Sequence, residues 1–124
     1  MSGTEKRVIL AVDDSPMQLE MFKKILSPLY ELGLVKSACD ALLFLNMNGA
    51  DAVLLDIKMP NISGFDFLAD IRRIPSYSKT PIIIVSGSTG KKFLARAKSS
   101  SAFEVLAKPV LPETLLGTIE KALG

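Results

Sequence analysis

The chain has 124 residues, 48% of them apolar and 23% charged, with a net charge of +2. Those values suit one domain with an ordinary core, argue against a disordered chain, and are too weakly basic to suggest a nucleic-acid binder. Cys39 is the only cysteine and histidine is absent, so an internal disulfide, cysteine metal clusters, histidine triads and histidine zinc sites are all excluded.

No apolar run approaches the ~20 residues of a membrane helix. The start "MSGTEKR" has neither the apolar stretch of a signal peptide nor the second-position glycine of a myristoylation signal. The expectation is a soluble, cytoplasmic protein.

Five short apolar runs alternate with helical patterns. "RVILAV" (7–12) reads as a buried strand. Ser15, Pro16 and Gln18 then read as N-cap, N1 and N3 of a capping box, with Leu19, Phe22, Leu26 and Leu29 at helical spacing. "LGLVKSA" (32–38) is a weaker, more polar strand suited to a sheet edge. A helix follows from about Asp40 to Met47 and stops near Gly49, a C-cap residue. "DAVLLD" (51–56) is the third strand, and the helix after Gly64 buries Phe67, Ile71 and Ile74. "PIIIVS" (81–86) is the fourth strand, followed by "TGKKFLARAKSS" with Thr89 as cap and Phe93, Leu94 and Ala97 inward. "FEVLAK" (103–108) is the fifth strand, and the last helix starts at Pro112 and buries Leu116, Ile119 and Leu123. Near-continuous Val/Ile/Leu strands alternating with helices predict an α/β fold: a five-stranded parallel sheet covered by helices on both faces.

In such sheets ligands bind beyond the carboxyl ends of the strands. There the first strand ends in Asp13 and Asp14, the third in Asp56, the fourth in Ser86 and the fifth in Lys108. Two carboxylates within ~5 Å repel by about 3 kcal/mol at an effective dielectric of ~20. One lysine leaves three such acids near −2, which a hard divalent cation offsets. Oxygen donors without His or Cys suit Mg²⁺. A hydroxyl and an ammonium beside a metal are the donors a phosphoryl group needs, and Asp56, central in the set, is the natural acceptor of one as an acyl phosphate.

These stretches together resemble a response-regulator receiver domain. "VDDSP" is similar to the family's acidic pair, and "LLDIKMPNISG" to its phospho-acceptor strand and D-x-x-M-P-x-x-x-G loop. "IIIVSG" is similar to its Ser/Thr strand and "AKP" to its Lys-Pro, and the match runs in order over the whole chain. The resemblance implies a flavodoxin-like strand order 2-1-3-4-5. It implies Asp56 as the phosphorylation site, Asp14 as a direct Mg²⁺ ligand, Asp13 holding the ion mainly through water, and the Lys58 backbone carbonyl as a further ligand. Ser86 and Lys108 would each engage a phosphoryl oxygen, and the Lys108–Pro109 bond is expected cis. The donor would be a histidine kinase or His-phosphotransfer protein. The output would be a downstream protein docking on the fourth helix, fifth strand and fifth helix, with no nucleic acid and no membrane involved.

Blander readings exist for each residue. Asp13 and Asp14 read alternatively as charges favouring a helix N-terminus, Asp56 as a turn acid, Ser86 as a strand end and Lys108 as a solvated lysine. The Lys58 side chain either hovers over the phosphoryl group or hangs in solvent. The basic face of Lys91, Lys92, Arg96 and Lys98 reads as solvated or as a docking face, Cys39 as a small packed residue, and the methionines as core or loop filler. One position departs from the family: the aromatic residue usual three before the Lys is here Val105, which puts the usual aromatic switch in doubt. The whole-chain reading is a stand-alone receiver over 1–124, catalysing only its own phosphorylation and dephosphorylation. The alternatives are a receiver cut from a hybrid kinase or larger regulator, a scaffolding receiver that is not phosphorylated, and a Mg²⁺-dependent phosphatase using Asp56 as nucleophile. The last lacks the D-x-D pattern, because Lys58 stands two after Asp56.

Overall fold

The computed structural model describes residues 6–59, 62–88 and 90–124. The apolar runs form Val8–Val12 (β1), Glu31–Val35 (β2), Ala52–Leu55 (β3), Ile82–Ser86 (β4) and Glu104–Ala107 (β5). All pairings are parallel, in the order β2-β1-β3-β4-β5. The predicted flavodoxin-like order is therefore observed, with β2 at an edge. Between the strands lie Pro16–Leu26 (α1), Ala38–Asn48 (α2), Gly64–Arg72 (α3), Lys91–Ser99 (α4) and Pro112–Leu123 (α5), with a short 3-10 turn at Pro75–Tyr77.

The period of two along each strand divides the core into two layers. Ile9, Ala11, Leu54, Ile83 and Val85 face α1 and α5, which contribute Leu19, Phe22, Leu26, Leu115 and Ile119. Leu10, Val12, Val53, Leu55, Ile82 and Ile84 face α2, α3 and α4, which contribute Ala41, Leu45, Phe67, Leu68, Ile71 and Ala97. Each buried Leu, Ile or Phe contributes about 1.5–3 kcal/mol, so the central strands anchor both layers.

Several local expectations need correcting. β2 begins at Glu31 and ends at Val35, and α2 begins at Ala38 because the Ser37 hydroxyl accepts from the Asp40 N–H at 3.1 Å. Cys39 lies on the outer side of that helix and is exposed, not packed. Leu29 and Leu94 are also exposed, and α5 buries Leu115 fully while Leu116 and Leu123 are only partly covered. Ile74 falls beyond α3 and is half-buried. Met21 and Met59 pack against the core as expected, whereas Met17 and Met47 are exposed on their helices. The predicted cap at Thr89 lies outside the described residues. Gly49 does end α2, at φ +75°, a conformation that a side chain would strain.

Only half of the α1 capping box forms. The Ser15 hydroxyl accepts from the Gln18 N–H at 3.3 Å, but the Ser15 N–H donates to Asp13 Oδ1 at 3.0 Å. The Gln18 amide nitrogen is left buried without a partner among the described residues. The carboxylate at the strand end has taken the donor that a reciprocal cap would use.

Candidate functional site

Strand register sets the site. Val12 pairs with Leu55, Leu55 with Ile84, and Ser86 with Ala107. The next residue along β1, β3 and β5 is Asp13, Asp56 and Lys108, and Ser86 closes β4. The backbone continues the ladder one step: Asp56 N–H donates to Val12 C=O at 3.0 Å, and Lys108 N–H to Ser86 C=O at 2.9 Å. Polar side chains are thereby carried to the sheet's rim while still largely covered: Asp13, Asp56 and Ser86 are 1%, 6% and 1% exposed.

One carboxylate oxygen from each of Asp13, Asp14 and Asp56 lies within 4.8 Å of the others. Lys108 reaches in from β5, with its Nζ 2.8 Å from Asp13 Oδ2 and 3.6 Å from Asp56 Oδ1. Asp13 thus uses both oxygens, one on the lysine and one on the Ser15 N–H. Burial, with the Asp13 charge second, holds the Asp56 carboxyl above the usual carboxylate range. The Lys108 ammonium and the Lys58 N–H bonded to the carboxylate pull it down, and Asp14 adds to the rise. One ammonium does not neutralise three clustered acids, so the site retains an affinity for positive charge. The Ser86 hydroxyl accepts from the Ser88 N–H at 3.2 Å, leaving its own proton free to donate.

The loop after Asp56 is held by Gly64. Its N–H donates to Ile57 C=O at 2.8 Å, and a Cβ there would lie 2.6 Å from the Ile57 Cα and 2.7 Å from the Asp56 carbonyl oxygen. Only glycine fits so close an approach. An antiparallel bridge between Lys58 and Ser63 closes the loop, and the Ser63 hydroxyl caps α3 by accepting from the Phe65 N–H at 3.2 Å. The Lys58 side chain is exposed. The Lys108–Pro109 bond is cis, as expected. Val105 is partly buried against the α2/α3/α4 layer, so no ring stands at that position to swing inward.

Asp13 and Asp14 follow β1, Asp56 follows β3, Ser86 ends β4 and Lys108 follows β5, so four of the five parallel strands bring the site together at one rim. The profile of the response regulator receiver domain family matches residues 9–120. The chain belongs to this family. Protein PilH of Pseudomonas aeruginosa is 31% identical to the receiver over 117 residues, covering 94% of this chain and 97% of that one. The sensor histidine kinase CheAY of Helicobacter pylori is 30% identical over 122 residues, which is 94% of this chain but 15% of that protein. The chemotaxis protein CheY4 of Vibrio cholerae has the same fold, with a TM-score of 0.88, 31% identity, and coverage of 95% of this chain and 99% of that one.

The receiver is thus a component of two-component signal transduction, in a family where phosphorylation is typical. Receiver domains bind Mg²⁺ at an acidic pocket, and the three clustered carboxylates here, all hard oxygen donors, fit such an ion. They also interact with histidine kinases or phosphotransfer proteins and with downstream targets. Among the described residues no helix is long and apolar enough to cross a membrane.

The sequence alone singles out neither Phe65 nor Arg72. The Arg72 guanidinium donates to Tyr77 C=O, Thr80 C=O, Ser101 C=O and Ser101 Oγ at 2.6–3.0 Å, tying α3 to the 3-10 turn and to the loop before β5. Arg96 stacks 4.5 Å over the Phe65 ring, which also meets Phe93 at 5.7 Å. Neither arrangement has a local signal, because the partners are far apart in sequence.

Proposed function

We propose that the receiver accepts a phosphoryl group on Asp56 from the histidine of a histidine kinase or His-phosphotransfer protein. Asp13, Asp14, Asp56 and the Lys58 backbone carbonyl would hold Mg²⁺, which when bound supplies positive charge that offsets the cluster and the incoming phosphoryl oxygens. An Asp56 carboxylate oxygen attacks phosphorus and the P–N bond to the partner's imidazole breaks. The imidazole leaves with the bonding pair and takes a proton from solvent. Lys108 and the Ser86 hydroxyl then donate to phosphoryl oxygens. Water later cleaves the acyl phosphate, returning the carboxylate and inorganic phosphate, so the chain's catalysis is confined to its own modification.

The observation that carries this reading is the convergence of three carboxylates within 4.8 Å on a lysine 2.8 Å from one and 3.6 Å from another. The added phosphoryl group, at about −2 charge, then biases two conformations and changes partner binding through α4, β5 and α5. We read the chain as a single receiver over 1–124 acting in the cytoplasm.

Intact-mass spectrometry after incubation with acetyl phosphate tests the assignment. One phosphoryl group is expected on the wild type with Mg²⁺, and none on Asp56→Asn or in the presence of a chelator. A folded wild type that takes up no phosphoryl group, or an Asp56→Asn variant that does, would overturn it.

A further inference from the structure

The groove between α3 and α4 lies outside the acid cluster and is not used by the chemistry above. It encloses about 560 Å³, within the ~300–1,000 Å³ of sites that bury compact organic groups. Its floor is apolar, from Leu68 and Ala69, with Phe65 as an aromatic wall. Arg96 lines the α4 side, its guanidinium over the Phe65 ring at 4.5 Å. Arg72 also lines the groove but is committed to the four bonds described above.

The charge around the groove is lopsided. α4 carries Lys91, Lys92, Arg96 and Lys98 and no acid in nine residues. Lys92 and Arg96 are spaced i, i+4 and so share one face, about 5–6 Å apart. The acid at the groove is Asp66, 4.0 Å from Arg96, with both side chains mostly exposed. Such a contact between exposed groups contributes at most about 1 kcal/mol. A row of cations one helical turn apart beside an apolar floor matches a row of carboxylates at the same spacing beside an apolar side chain. A compact ligand fills the floor but does not reach along the row, whereas an acidic peptide segment does both.

We propose that the α3–α4 groove docks an acidic segment of a partner protein, with a Leu or Phe anchor over Leu68 and Ala69 and carboxylates facing Lys92 and Arg96. The groove wall is tied to the phospho-acceptor loop, since Phe65 follows Gly64, whose N–H donates to the Ile57 carbonyl at 2.8 Å. Docking itself needs no phosphoryl group, so it stands apart from the assignment of Asp56.

The test uses unphosphorylated protein and a short fluorescein-labelled peptide with Glu at i and i+4 around central Leu and Phe residues. Fluorescence anisotropy should show saturable binding, weakened about tenfold or more by Arg96→Glu and by Ala69→Arg, and likewise when Gln replaces Glu in the peptide. Both substitutions are at exposed positions, and unchanged circular dichroism verifies that the variants fold. Amide shifts in NMR should fall at Phe65, Leu68, Ala69 and Ser99. Absence of binding, equal binding by both variants, or shifts confined to β5 and α5 would overturn the proposal. So would a dimer in sedimentation that Ala69→Arg abolishes, which would assign the groove to a second copy.

Discussion

The Asp56 carboxylate and the Arg72 guanidinium are both partly withdrawn from water, and the fold treats them in opposite ways. Arg72 meets four acceptors at 2.6–3.0 Å. Asp56 meets two other carboxylates within 4.8 Å and one ammonium at 3.6 Å. The first arrangement is complete as it stands, and burial alone lowers the guanidinium's proton affinity. The second lacks positive charge, and burial and Asp13 both favour its protonated form. A buried charge that is satisfied holds segments together, while one left short is poised to bind something.

Three measurements break or sharpen that contrast. The largest effect is expected for Arg72→Met, which keeps the apolar stem but strands three backbone carbonyls and the Ser101 hydroxyl. It should cost about 2 kcal/mol, or roughly 8 °C in Tm for a chain of this size, read by calorimetry. A loss under about 0.5 kcal/mol would mean that water replaces the guanidinium without penalty. Next, adding Mg²⁺ to the chelated protein should stabilise the wild type by about 1.4 kcal/mol at ten times the dissociation constant, read as a rise in Tm. Asp13→Asn and Asp14→Asn should blunt that rise, and an equal rise in both would place the ion elsewhere.

The smallest effect has the opposite sign. Asp56→Asn should stabilise the metal-free protein by on the order of 1 kcal/mol at neutral pH, about 4 °C. The sign follows from the raised carboxyl. Above the ordinary carboxyl value of 3.8 the unfolded chain sheds a proton that the folded chain still holds. Wild-type stability therefore falls as pH rises through the window between 3.8 and the raised folded value. The advantage of the asparagine variant should grow across that window and fade below it. Denaturant melts at several pH values decide this, and a variant less stable than wild type at neutral pH would end the contrast.

The sheet and its rim were legible because each rests on a local signal. β1, β3 and β4 are apolar on both faces, so their runs are almost unbroken, and an acid or serine at the end of each stands out against them. Register then did the assembly, since residues at equivalent strand ends must lie together. The helices were less legible where two faces compete. α2 carries exposed Leu42, Leu43 and Met47 as well as buried Ala41 and Leu45, so apolar spacing does not tell its inner side from its outer, and Cys39 was misplaced. In α5, adjacent leucines at 115 and 116 leave the phase of the helix open by one residue. The Arg72 clamp was invisible because Ser101 lies 29 residues away, and no periodicity connects them.

The ion pair between Asp13 and Lys108 spans 95 residues of chain. Its acid leaves the ribosome 95 residues ahead of its lysine. A nascent chain that already displays Asp13, Asp14 and Asp56 has no ammonium among them until β5 has been made and added to the sheet. The neutralising contact therefore forms only once β5 has joined the sheet. Chains cut before β5 present the acids without their lysine.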